Sequence, residues 1–94
     1  MQIQFKQWNC EVVKRFYNNG RPALELIEVG TGEPVAVATV NVPDECIPGG
    51  FVAVKDYSEN EGMLAALVLQ HVVESPKISV ASGFVTIPVC RLLI

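Results

Sequence analysis

The stretch KDYSENEGMLAALVLQHVV, residues 55–73, decides how this chain is read. Asp56, Glu59 and Glu61 fall within six positions, and a nearly unbroken apolar run follows at once. Ser58 and Glu61 have the S-x-x-E spacing of a capping box, in which the hydroxyl accepts from the Glu61 amide and the carboxylate reaches back to the Ser58 amide. Glu59 and Glu61 then lie in a first helical turn, where negative charge interacts well with the helix dipole, and Asp56 just outside binds loop amides. Each of these interactions is worth about 0.5–1 kcal/mol. The acidic segment therefore reads as the front end of a helix over residues 59–71.

Within that helix Leu64, Leu67, Val68 and His71 follow i, i+3, i+4, i+7 and form a stripe for a sheet. Met63, Ala66 and Leu69 lie around the sides, and Ala65 with Val72 continues the coverage. A helix apolar nearly all round is covered on more than one side, here by a long loop or by another chain. His71 is placed to interact with the last carbonyls.

Outward from the helix the chain reads as strands and turns. Residues 2–5 alternate polar and apolar as a half-buried strand. Apolar parity then slips from Ile3 and Phe5 to Trp8, Cys10 and Val12, as a bulge near Lys6 and Gln7 would cause. Asn19-Gly20 predicts a two-residue type I′ hairpin turn. That register pairs Phe16 with Ala23, Lys14 with Glu25 and Val12 with Ile27, and the Lys14–Glu25 charges favour it. GTGEP, residues 30–34, is a second turn, and VAVATVNV, residues 35–42, is a third strand. Its small residues Ala36 and Ala38 leave room for a bulky neighbour. PDECIPGG, residues 43–50, is a loop, and FVAVK, residues 51–55, is a short fourth strand. A Ser-Pro-Lys loop follows the helix, and a last strand covers residues 83–93. Pro88 within it suggests an edge position or a bulge. The apolar tail of that strand is expected to be paired, in the sheet or in a dimer.

The fold class expected is α+β: an antiparallel sheet of about four to six strands with one α-helix packed on a face, in the order β-β-β-β-α-β. The 94 residues form a single domain, with chain enough for a modest core.

Composition bounds the function. Half the residues are apolar, mean hydropathy is +0.34 and only 18 % are charged, so part of the apolar excess is expected at an interface. The net charge is −3 and the seven basic residues are scattered, which argues against direct nucleic-acid binding. Cys10, Cys46 and Cys90 are far apart and form no CxxC pair. With a single histidine they offer no zinc-like spacing, and they read as small core residues of a cytoplasmic protein. MQIQFKQWNC lacks the features of a signal peptide, and the apolar run of residues 63–69 is far below the ~20 residues of a membrane span. No catalytic residue, cofactor or metal ligand is expected. Trp8, Phe16 and Tyr17 read as packing residues.

Three segments, TGEPVAVATVNVP, VKDYSENEGMLAAL and GFVTIPVCRL, together resemble a family of short uncharacterised proteins carried by phages and by integrative or conjugative elements of bacteria. The likeness covers residues 30–93. ESPKISVAS departs from the Gly-rich or Thr-Gly turn of the relatives and leaves residues 74–82 as an open question. The resemblance implies a non-enzymatic protein that binds a host or defence-system protein in the bacterial cytoplasm, such as an inhibitor of a CRISPR effector. An acidic protein suits the basic groove of a nucleic-acid-handling partner. The expected contact residues are Asp44, Glu45, Asp56, Tyr57, Glu59 and Glu61. The alternatives are a self-associating accessory protein, a homodimer through helix 59–71 and the C-terminal strand, and a small enzyme using Asp44, Glu45, Asp56 or Glu59 as acid–base groups.

Overall fold

Among the described residues, glycines and short turns set apart eight strands and one helix. The computed structural model describes residues 1–42 and 47–94. The strands are β1 (Gln2–Phe5), β2 (Trp8–Phe16), β3 (Pro22–Glu28), β4 (Pro34–Val37), β5 (Thr39–Val40), β6 (Phe51–Val54), β7 (Ile78–Ser82) and β8 (Val85–Arg91). A 3-10 turn, Ser58–Asn60, precedes the helix α1, Met63–Leu69. The fold is α+β with two antiparallel four-stranded sheets, ordered β1-β2-β3-β4 and β5-β6-β8-β7.

The parity slip after Phe5 comes from a tight turn, not a bulge. Phe5 faces Trp8 across a two-residue connection, and Lys6 takes a φ of 53° to close it. The hairpin at Asn19-Gly20 exists, but one residue out of the expected register. Phe16 faces Pro22, Val13 faces Glu25 and Val12 faces Leu26. Of the two turn residues only Gly20, at φ 84°, lies in the left-handed region. The Gly20 amide donates to Tyr17 O and the Tyr17 amide to Arg21 O. These bonds define a type I turn with a glycine bulge, which holds one residue more than a type I′ turn. Arg15, not Lys14, therefore pairs with Glu25, at 3.1 Å. The shift places Val12, Leu24 and Leu26 together on the buried face.

The expected third strand is divided at Ala38. β4 pairs with β3 in the first sheet, and β5 pairs with β6 in the second. Ala38 is fully buried at the crossing, its amide donating to Leu24 O while its carbonyl accepts from the Lys55 amide. One continuous core joins Ile3, Phe5, Cys10, Val12, Leu24 and Leu26 of the first sheet to Val52, Val54 and Cys90 of the second, with Met63 and Leu67 of α1. The other face of the second sheet presents Ala53, Ile87 and Val89 to Val42, Ile47 and the Tyr57 ring in a smaller cluster. The β6–β8 part of the second sheet is thus covered on both sides.

The residues expected to form a loop and one last strand form the β7–β8 hairpin, with Ser82 facing Val85. Gly83, at φ 60°, supplies the positive first position of its two-residue turn. Pro88 sits in β8, an interior strand. Counting from the turn, Val80↔Ile87 is a hydrogen-bonded pair and Ser79↔Pro88 is not, so the Pro88 nitrogen points toward β6. The β6–β8 ladder stops at Ala53↔Val89, one residue short of the position where Pro88 would have to donate. The tail beyond β8 is paired: the Leu92 amide donates to Gly50 O and the Leu93 amide to Val72 O, both at 2.9 Å.

Candidate interaction surface

Asp56 leaves β6 and turns back toward the helix, where its Oδ1 accepts from the Leu64 amide at 2.9 Å. That is an orphan donor of the first helical turn, so Asp56 does the capping work expected of Ser58. No side-chain cap comes from Ser58 or Glu61. Ser58 has a φ of 55°, and the Glu61 amide donates to the Ser58 carbonyl to close a 3-10 turn. Gly62, at φ 96°, separates that turn from α1, which shortens the helix to seven residues.

Glu59 lies beside Lys55 and forms an ion pair with it. The ammonium holds the Glu59 carboxyl below the usual carboxylate range, and Lys6 Nζ donates to the Glu59 carbonyl at 2.9 Å. The Tyr57 ring packs into the smaller cluster, 5.6 Å from Lys55 Nζ. Asn60 is buried, and its Nδ2 donates to Val37 O at 2.7 Å. The acidic segment is thus divided: Asp56 and Tyr57 are engaged in the fold, while Glu59 and Glu61 are exposed at the helix entry. Asp44 and Glu45, the other two expected contact residues, lie outside the described residues, as does Cys46. Among the described residues no group of three or more His, Cys, Asp or Glu side chains could hold a metal ion, and no helix is long and apolar enough to cross a membrane. Cys10 and Cys90 are buried and unpaired. Burial raises both thiols, that of Cys90 to about 11, so neither carries a thiolate near neutral pH.

The helix buries a narrower stripe than its composition suggested. Met63 and Leu67 are fully buried, Leu64, Ala66 and Val68 are half-buried, and Leu69 is 77 % exposed. His71 lies past the helix end and is exposed, with φ 63°. Its amide, not its imidazole, does the capping: it donates to Val68 O, and the Val72 amide donates to Leu67 O. This is the Schellman arrangement, here with histidine where glycine is usual. Ala65 and Leu69, four residues apart, form the exposed helix face, and Glu61 is exposed in the turn before it.

The free sheet edges differ. At β1 the Gln70 side chain stands in for a strand: its Oε1 accepts from the Gln4 amide at 2.6 Å, and its Nε2 donates to Gln4 O at 2.7 Å. β4 begins with Pro34, which has no N–H, and its Val37 carbonyl is taken by Asn60. β5 is only two residues long. β7 is five residues long, uncharged, and mostly exposed. At the tip of its hairpin Phe84 is wholly exposed. At its base Pro76, Lys77, Ile78, Ser79, Thr86 and Pro88 line an open groove of about 330 Å³. Sequence reading missed this hairpin although its signal was present: Ile78 and Val80, then Val85, Ile87 and Val89, alternate on either side of Gly83-Phe84.

No protein-family model, curated protein or solved structure matches this chain.

Proposed function

We propose that the domain acts by binding another protein through the exposed face of α1 and the acidic turn that enters it. The observation that carries this reading is Leu69, a large apolar side chain left 77 % exposed on a helix whose other leucines are covered. Ala65 continues the apolar strip, and Glu59 and Glu61 border its entry. An apolar centre with a charged rim is the usual anatomy of a protein interface, and it suits a partner with an apolar pocket beside basic residues. The resemblance to proteins of phages and mobile elements supports a bacterial host factor as the target. The specific proposal is a defence complex of the CRISPR-effector type, held in an inactive state without chemistry.

The test is affinity capture from a bacterium that expresses such an effector, comparing the natural chain with Leu69→Asp and Glu61→Lys. The natural chain is expected to retain an effector subunit and to restore phage plaques on that host. Leu69→Asp is expected to lose both while remaining folded. Equal behaviour of the natural chain and Leu69→Asp would remove the helix face from the reading, and failure to capture the effector or restore plaques would remove the effector.

A further inference from the structure

We propose that β7 is a self-recognition strand, through which two copies of this chain pair antiparallel about a two-fold axis at Val80, each laying Phe84 in the groove at the base of the other's hairpin. The pairing within the hairpin dictates the geometry. Val80 and Ile87 exchange their backbone bonds, so the amides and carbonyls of Ser79 and Ala81 point away from β8, where no other strand of the described residues lies. An axis at Val80 sets Ser79 of one copy opposite Ala81 of the other, and each such pair exchanges both N–H···O bonds. The same register places Ile78 against Ser82 and brings the Gly83-Phe84 turn of each copy to the chain that enters the other's β7 at Pro76 and Lys77. Each exposed tip ring thus comes beside the base of the second hairpin, where the Pro76–Pro88 groove is open to receive it, and the relation is reciprocal, as an isologous interface requires. A shift by one residue would set outward-facing groups against inward-facing ones.

Two further observations favour a second copy as the occupant. The ten acidic residues all lie at or before Glu74, so no acidic side chain occurs in residues 75–94, and Lys77 and Arg91 are the charged side chains there. Two copies of an acidic protein thus meet at a segment without acidic side chains, and Lys77 of one falls beside the Phe84 ring of the other, a favourable cation–aromatic contact. The other three edges are covered, blocked or very short, whereas β7 has none of the usual protections against pairing. Joining there extends the second sheet across both copies and continues the apolar face formed by Val80, Val85 and Ile87.

The test is the mass of the full chain in solution across a range of concentrations. The expected value is twice 10.2 kDa, with the Ser79 and Ala81 amides slow to exchange with solvent. Ala81→Pro removes an outward N–H without touching a bond to β8, and is expected to give a monomer. Phe84→Ser, at a position with no packing in the monomer, is expected to weaken association about tenfold or more, which keeps the test open if Ala81→Pro disturbs folding. A monomer at all concentrations overturns the proposal, and so does a dimer whose mass is unchanged by Phe84→Ser. Leu69→Asp is expected to leave the mass unaltered, so this outcome is separate from that of partner capture.

Discussion

The β2–β3 and β7–β8 hairpins start from similar sequence devices and end in different states. Each turns at a glycine with positive φ, Gly20 in one and Gly83 in the other. The first is tied down along its length. Tyr17 OH and Thr39 Oγ1 share a hydrogen bond of 2.9 Å, and Thr39 Oγ1 accepts from the Leu24 amide. Arg21 donates to the carbonyls of Ile47 and Pro48. The second hairpin packs by Val80, Val85 and Ile87 on one face and leaves its outer strand and tip in solvent. A turn signal thus says where a hairpin bends, and the neighbours decide whether it becomes core or surface.

Core truncation breaks this comparison most sharply. Leu24→Ala is expected to cost about 2–5 kcal/mol, because the site lies between both sheets and a cavity would remain. Val80→Ala, on the open hairpin, is expected to cost less than about 1 kcal/mol. Urea unfolding of the two variants measures the difference, and equal costs would mean that β7 is as deeply integrated as β3.

On the anchored side, Asp56→Ala is expected to lose about 1–2 kcal/mol, since the Leu64 amide then has no cap. Ser58→Ala should stay within about 0.5 kcal/mol, having no cap to remove. The reverse order, read by thermal denaturation, would restore the capping box.

Gln70→Ala sharpens the contrast between edges. It should cost about 1 kcal/mol for the two bonds to Gln4 and make β1 an unprotected edge like β7. Amide exchange at Gln4 is expected to accelerate, and an unchanged rate would show that something else covers that edge.

The smallest effect expected is a gain. His71→Gly relieves a non-glycine residue at φ 63° and should stabilise the chain by about 0.5–1 kcal/mol. Loss of stability in the same urea experiment would mean that the imidazole contributes more than its backbone position costs.

Much of the architecture was legible in the sequence, because alternation and turn chemistry are local. The strand at Gln2–Phe5, the bend at Gly20, the break before Phe51 and the presence of the apolar helix, though not its ends or its cap, follow from such signals. The errors have physical sources as well. Asn19 tolerates positive φ but need not adopt it, so the turn gained a residue and the register moved. Ala38 carries no mark that its neighbours belong to different sheets. Pro88 points to an edge or a bulge because it lacks a donor, but the end of the β6–β8 ladder, which makes an interior place tolerable, is not foreseeable from sequence. Of the candidate surface, the position of the acidic turn was legible. The division of its carboxylates was not, since Lys55 is near Glu59 in sequence while the amide that Asp56 caps is eight residues on.

By itself the sequence determined where the backbone turns, which residues seek burial and which segment becomes helical, since these follow from φ preferences and from the spacing of apolar side chains. The tertiary structure alone decided the hairpin register, the division of one strand between two sheets, the choice of Asp56 as the cap and the exposure of β7. Each of these depends on which distant group reaches a hydrogen-bonding partner first, and no local pattern of residues encodes that.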